Sequence, residues 1–336
     1  MRIVFLLFSH VLLYSFTPIF AQNEVDLLLN SFQSTDTLPS GILSEKTVVL
    51  IHTGDGSPQE FNRISEIVHA NFLKAGIDAV SYYDILDLYA GKDVTRGFAL
   101  YFRKREIENI IIVDYKGDDS RIFATVPDYK SDILVEGQSV WMRSGKVNEI
   151  SSRLYISAAN SGIERENFLI NDIPEPGLLV NPINGKRSEF FSLNLGSAKL
   201  AVPLYKDPSK NAQLKKIIEE NYPYTNFDFV DPDITEVELL EQKYSYILEY
   251  ITSTGTKVHE FLEYEIKEGV SSFATVTFSG GKQTINPIPK AQVVYKYYIK
   301  NLRSGDVYLG TEWDAGISWE QAIINHFGVM KKELDL

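Results

Sequence analysis

The chain has 336 residues, with 33 Lys plus Arg, 45 Asp plus Glu, 44% apolar residues and no cysteine. Ordinary hydrophobicity with 23% charged residues permits a sizeable core, which excludes disordered, collagen-like and coiled-coil classes. A formal charge of -12 repels polyphosphate and anionic lipid, which excludes a nucleic-acid binder and a polybasic membrane anchor.

Arg2 precedes two apolar runs, Ile3 to Phe8 and Val11 to Phe16, and the stretch closes on Phe20-Ala21-Gln22. A short positive region, an apolar centre and a small residue before a polar start read as a secretory signal peptide over residues 1–21, cut after Ala21. Ser9, His10 and Pro18 interrupt the run, which falls short of the about 20 apolar residues of a spanning helix. No later stretch reaches that length, so no membrane span is expected after cleavage. An exported chain without cysteine has no disulfide framework, which places it in the periplasm rather than among stapled secreted domains. Residues 22–45, rich in Ser, Asn and Thr, read as a flexible leader.

A first α/β domain is expected over 46–170. Val48 to Ile51 is a β-branched run of the kind covered on both faces of a sheet. Gly54-Asp55-Gly56 then leads into Ser57-Pro58-Gln59-Glu60, a capping box that opens a helix with Phe61, Ile64, Ile67, Val68 and Phe72 on one stripe and Gly76 at its stop. A second strand follows over Ala79 to Ile85, then a helix around Phe98 to Arg105 and a third strand at Ile110 to Val113. Strand, helix, strand, helix, strand implies a parallel sheet. Shorter strands (Arg121 to Val126, Ile133 to Gly137, Gln138 to Arg143) and a helix from Val147 to Ile163 complete the domain.

Residues 171–195, with Pro174, Pro176, Gly177, Pro182 and Gly185, read as a linker. The opening theme then returns in a second domain, 196–336: a strand at Lys199 to Tyr205, a cap at Asp207-Pro208-Ser209, a helix over Ala212 to Asn221, a strand at Phe227 to Val230, a short helix at Glu236 to Glu241 and a strand at Tyr244 to Ile251. The order and spacing indicate a degenerate internal duplication. Alternating runs at Val258 to Lys267, Ser272 to Phe278 and Gln292 to Lys300, then Val307 to Trp313, add antiparallel strands with one wet face. Ser318-Trp319-Glu320-Gln321 caps a last helix. The fold class is therefore mixed α/β: two tandem sandwich units, each a parallel βαβαβ core extended by antiparallel strands.

The opening strand and loop (Val48 to Gly56), the helix to Gly76, the strand Ile110 to Asp114, and in the second half Tyr244 to Ile251 with the Val293 to Trp313 hairpin and its Ser304-Gly305-Asp306 turn resemble the TolB amino-terminal domain and the related curli-secretion-channel fold. The likeness covers most of residues 46–330 as two copies. It lacks a six-bladed propeller and a membrane-inserting hairpin. The resemblance implies a non-catalytic, protein-binding role in the periplasm.

The chemistry-bearing residues are few. Gly54, Asp55, Gly56 and Ser57, between strand and helix, have the form of an anion cradle at a helix start. Gln59 breaks the dinucleotide fingerprint, and Asp55 would repel an anion. The bland reading is a tight turn with a cap. Asp114, at a strand's carboxyl end, faces the crevice where open α/β sheets bind ligands; the alternative is a solvated loop acid. His52, His69, His259 and His326 are too scattered for a metal motif, so no metal and no cofactor is expected. No GxSxG elbow is present. Tyr295 and Tyr297, with Lys296, Lys300 and Arg303, suggest an aromatic strand with a positive edge that docks an acidic protein; ordinary strand packing is the competing account. The functional expectation is a periplasmic adaptor or accessory subunit bound to another envelope protein, such as an outer-membrane assembly or transport machine. The alternatives are an exported small-ligand binder or hydrolase using the crevice by Gly54, and a structural spacer.

Overall fold

In a computed structural model of the chain, residues 19–54, 58–129, 132–167, 170–175 and 180–336 are described, with side chains from residue 24 onward. The first unit runs α1 (Ile19–Ser31), β1 (Gln33–Thr35), β2 (Lys46–His52), α2 (Pro58–Ala75), β3 (Asp78–Asp84), α3 (Ile85–Leu88), α4 (Lys92–Lys104), β4 (Ile107–Asp114), β5 (Ser120–Thr125), β6 (Ser139–Gly145) and α5 (Val147–Asn160). The second runs β7 (Arg187–Ser188), β8 (Leu200–Pro203), α6 (Pro208–Asn221), β9 (Phe227–Val230), α7 (Glu236–Glu241), β10 (Tyr246–Thr254), α8 (Gly255–Phe261), β11 (Ser272–Ser279), β12 (Lys282–Pro289), β13 (Val293–Asn301), β14 (Val307–Tyr308) and α9 (Trp319–Glu333).

Two six-stranded mixed sheets result, ordered β1-β6-β5-β4-β2-β3 and β7-β14-β13-β10-β8-β9. The two orders are the same order. In each unit the second strand lies parallel to the third and fourth, the next two strands are antiparallel, and the short first strand returns parallel to the last. The β11–β12 hairpin is an insertion between the matching positions of β10 and β13. The mixed α/β class follows, with a pattern that the apolar runs had already announced.

Alternate residues of each central strand feed different layers, as the two-residue period of a strand requires. On one face of the first sheet Val49, Ile51, Ile111 and Val113 pack on α2 and α5; on the other, Val48, Leu50, Ile110 and Ile112 pack on α4 and α1. That second layer does not stop at the unit boundary, because Ile251, Val258, Phe261, Val294 and Tyr298 of the second unit join the same core. The two units are fused through apolar surface.

Four expectations are corrected. Residues 22–45 are not a flexible leader: Val25, Leu29, Leu38, Ile42 and Leu43 are buried, and β1 pairs with β6. The 171–195 segment is not a free linker, since Glu175 bridges to Ser81 at the outer edge of β3 and β7 pairs with β14. Each unit thus begins one strand earlier than expected. Val258 to Lys267 opens as helix α8 rather than a strand, because Thr254 caps Lys257 and because Val258, Phe261 and Leu262 share one helical face. Ile133 to Gly137 forms a loop that buries Ile133 and Leu134.

Candidate functional site

In a doubly wound sheet, ligand crevices lie beyond the carboxyl ends of the parallel strands. The duplication gives this chain two such places. At the first, His52 ends β2 and Asp114 ends β4 in direct register. Both are buried, and His52 Nδ1 lies 3.1 Å from Asp114 Oδ1. Arg121 donates to Asp114 Oδ2 through Nε (2.9 Å) and Nη2 (2.6 Å), and Lys116 Nζ stands 3.4 Å away. Burial acts to raise the Asp114 carboxyl, but the bonds from His52 and Arg121 and the charges of Arg121 and Lys116 win and hold it below the usual carboxylate range. An ionised carboxylate only accepts, so His52 Nδ1 carries the proton.

Helix α1 closes this crevice. Asp26 accepts from Lys116 at 3.0 Å, and Asn30 accepts from Arg121 at 2.8 Å. Asp26, His52 and Asp114 bring ligand atoms within 4.8 Å of one another, a donor set that could hold a cation. The donors do not fit a divalent metal, because Lys116 and Arg121 already supply the positive charge at hydrogen-bond distance. His52 Nε2 is buried and has no hydrogen-bond partner among the described residues. A histidine oriented by a carboxylate has the geometry of a general base. Of the expected loop site, Gly54 adopts φ 77°, as a tight turn requires; Asp55, Gly56 and Ser57 lie outside the described residues. Asp84, at the end of β3, is pushed up to about 7 by burial and then by Asp87.

The second place is open. Beyond Pro203, β8 stops while β10 runs on to Thr254. A cleft of about 590 Å³ occupies the space between the units. Its second-unit wall is aromatic: Tyr205 and Tyr297 share a 2.6 Å hydrogen bond, Tyr250 packs on Tyr297 at 5.4 Å, and Trp319 packs edge-on to Tyr205 at 5.1 Å. The facing wall is α4 of the first unit, with Thr95, Arg96 and Leu100. Thr252 donates to the Ala90 carbonyl at 2.7 Å, which joins the free edge of β10 to the first unit.

The seam below is ionic. Asp93 of α4 receives Lys300 Nζ at 2.6 Å and the Tyr298 hydroxyl at 2.9 Å, and Arg96 reaches Asp93 at 3.1 Å and Glu236 at 2.5 Å. Lys300 also reaches Glu236 at 2.9 Å. Glu249, on β10, is buried at the cleft floor. Burial, and then the charge of Asp93, push its carboxyl up to about 7.

The expected docking strand is corrected here. Tyr295 and Tyr297 line the cleft but are buried, and they serve its wall rather than an exposed face. Lys296 and Lys300 form no positive edge. Lys296 is fully buried, with Nζ 2.6 Å from Asp314 Oδ1 and 2.7 Å from the Leu309 carbonyl, and His326 Nδ1 lies 3.0 Å from Asp314 Oδ2. Burial depresses the Lys296 ammonium against the pull of Asp314. Arg303 alone of the three cations is exposed. Asp93, Arg96 and Glu249 were not singled out from the sequence. The available signal was Glu249 itself, one carboxylate inside the apolar run Tyr246 to Ile251.

No protein-family model and no curated protein sequence matches the chain. Among solved structures, one likeness is to a dodecamer of a PelC variant from Paraburkholderia phytofirmans. It is 12% identical, covers 38% of this chain and 96% of that one, and has a TM-score of 0.23. A superposition that loose carries no argument about function.

Proposed function

We propose that the protein is a non-catalytic adaptor of the cell envelope, exported to the periplasm, which holds a segment of another envelope protein in the cleft between its two units. The supporting observation is the cleft: a concave, aromatic-walled space set on a fused framework, the kind of surface that proteins use for recognition. The best candidates for acid–base chemistry support the same reading. His52 and Asp114 lie under α1, and Lys296, Asp314 and His326 are sealed in the core. The likeness of each unit to the TolB amino-terminal domain and the curli-secretion-channel fold belongs to this proposal. The repeated strand order in both units is consistent with it.

A second reading, an exported small-ligand binder, uses the same cleft, whose volume falls within the about 300–1,000 Å³ of small-molecule sites. The two separate by affinity purification from detergent-solubilised envelopes, comparing the wild type with Leu100→Trp, which fills the cleft from its exposed rim. The adaptor recovers a stoichiometric membrane partner that Leu100→Trp loses. Recovery of none, together with a small molecule that raises the wild-type melting temperature, replaces this reading with the second.

A further inference from the structure

The geometry points to Glu249 as the anchor for a primary ammonium group, so that the cleft takes a lysine-bearing segment. This inference rests on the reading of the cleft as a binding site and names the chemistry of its occupant. Glu249 is 7% exposed and lines the cleft. The other carboxylates of the seam have donors: Asp93 has Lys300, Tyr298 and Arg96, and Glu236 has Arg96 and Lys300. Among the described residues, none donates a hydrogen bond to the Glu249 carboxyl, whose backbone is engaged with Tyr298 in the sheet. Lys92, the other cation of that end of α4, gives its ammonium to the Pro232 carbonyl.

A carboxyl largely stripped of water and without a donor from its own chain is a ready acceptor for a charged donor that enters the cleft. The occupant's other features follow from the surroundings. A formal charge of -12 draws cations toward the molecule. The ammonium of lysine is a compact charge with three donors, suited to a single carboxyl, whereas a planar guanidinium seeks a bidentate partner. Its methylene stem can lie along the aromatic wall. The groups that set the field at Glu249 are Asp93, Lys92 and Arg96 from α4 and Lys300 from β13, with the Tyr298 and Tyr250 hydroxyls beside it; Glu236 of α7 shares Lys300 and Arg96. Because Glu249 is held near 7, an ammonium competes there with a proton.

The test is calorimetric titration of the full chain with N-acetyl-lysine methylamide, with the norleucine analogue, which keeps the stem and lacks the ammonium, as control. The lysine compound is expected to bind at least about tenfold tighter than the norleucine compound. Its affinity should rise about tenfold between pH 6 and 8 as Glu249 ionises. Glu249→Gln should erase both the preference and the pH dependence. Equal binding of the two compounds, no binding of the lysine compound at millimolar concentration, a flat pH profile in the wild type, or an unchanged Glu249→Gln variant would each overturn the assignment. If the lysine preference is absent while Leu100→Trp still loses a membrane partner, the adaptor reading stands and the ammonium anchor falls. The reverse pattern removes the adaptor reading alone.

Discussion

Lys300 Nζ and Asp93 Oδ1 meet at 2.6 Å across 207 positions of the chain, and this pair ties the second sheet to the helix that forms the opposite wall of the cleft. Both side chains are almost completely buried. Removing Lys300 leaves Asp93 with only Arg96 and the Tyr298 hydroxyl, and breaking a buried pair costs up to about 3–5 kcal/mol. Lys300→Met should therefore lower the urea midpoint sharply, while the double variant Lys300→Met, Asp93→Asn should recover much of the loss. Equal destabilisation of the single and double variants would show that the pair contributes packing rather than charge compensation.

Gly91 lies where the two units approach closely. A Cβ built there falls 2.5 Å from the Tyr250 carbonyl oxygen, a backbone atom that cannot swing aside. Gly91→Ala should cost about 1–3 kcal/mol by forced separation of the seam, and limited proteolysis should then cut nearer the joint than in the wild type. Unchanged stability and an unchanged cleavage pattern would contradict the contact.

The pH dependence has two limbs of opposite sign. Glu249 has a folded pKa raised to about 7, above the ordinary 4.5, by burial first and Asp93 second. Its contribution to stability is thus greatest in acid and is lost as pH rises from about 4.5 to about 7. Glu249→Gln should stabilise the protein by about 1–3 kcal/mol at pH 8 and by little at pH 4. His259 behaves in the other direction. It stacks on Phe273 with centroids 3.6 Å apart, and burial pushes it down to about 4, so stability is lost as pH falls below the ordinary 6.5. His259→Phe should flatten the acid limb. Denaturation curves at pH 4, 6 and 8 for the two variants check both signs.

Leu29 of α1 is 1% exposed. Leu29→Ala should cost about 2–5 kcal/mol, as for other large-to-small changes in a packed core. A loss below about 0.5 kcal/mol, the range of surface substitutions, would mean that the segment is held only at its surface contacts.

The central strands, the helices and the duplication were legible because each is written locally, as β-branched runs, caps and helical stripes. The strands β1 and β7 were not, since three or two residues carry no period, and their pairing is decided by strands far along the chain. Lys296 and Lys300 read as surface charge because an unpaired lysine cannot stay buried; their partners Asp314 and Asp93 are visible only in three dimensions. Asp114 was legible as the end of a buried strand. That α1 would cover it was not, because a polar-looking segment hides its apolar positions, Val25 and Leu29, at helical spacing. The open cleft arises where two copies of one fold meet, a relation that no single stretch of sequence encodes.

The most direct test places a photo-crosslinking amino acid at Leu100, on the exposed rim of the cleft, and a control at Ile156 on α5, in living cells. The account predicts one specific envelope protein joined at Leu100 and absent at Ile156, with the attachment site in a lysine-containing stretch of that protein. Labelling that is equal at both positions, or absent at Leu100, would contradict it.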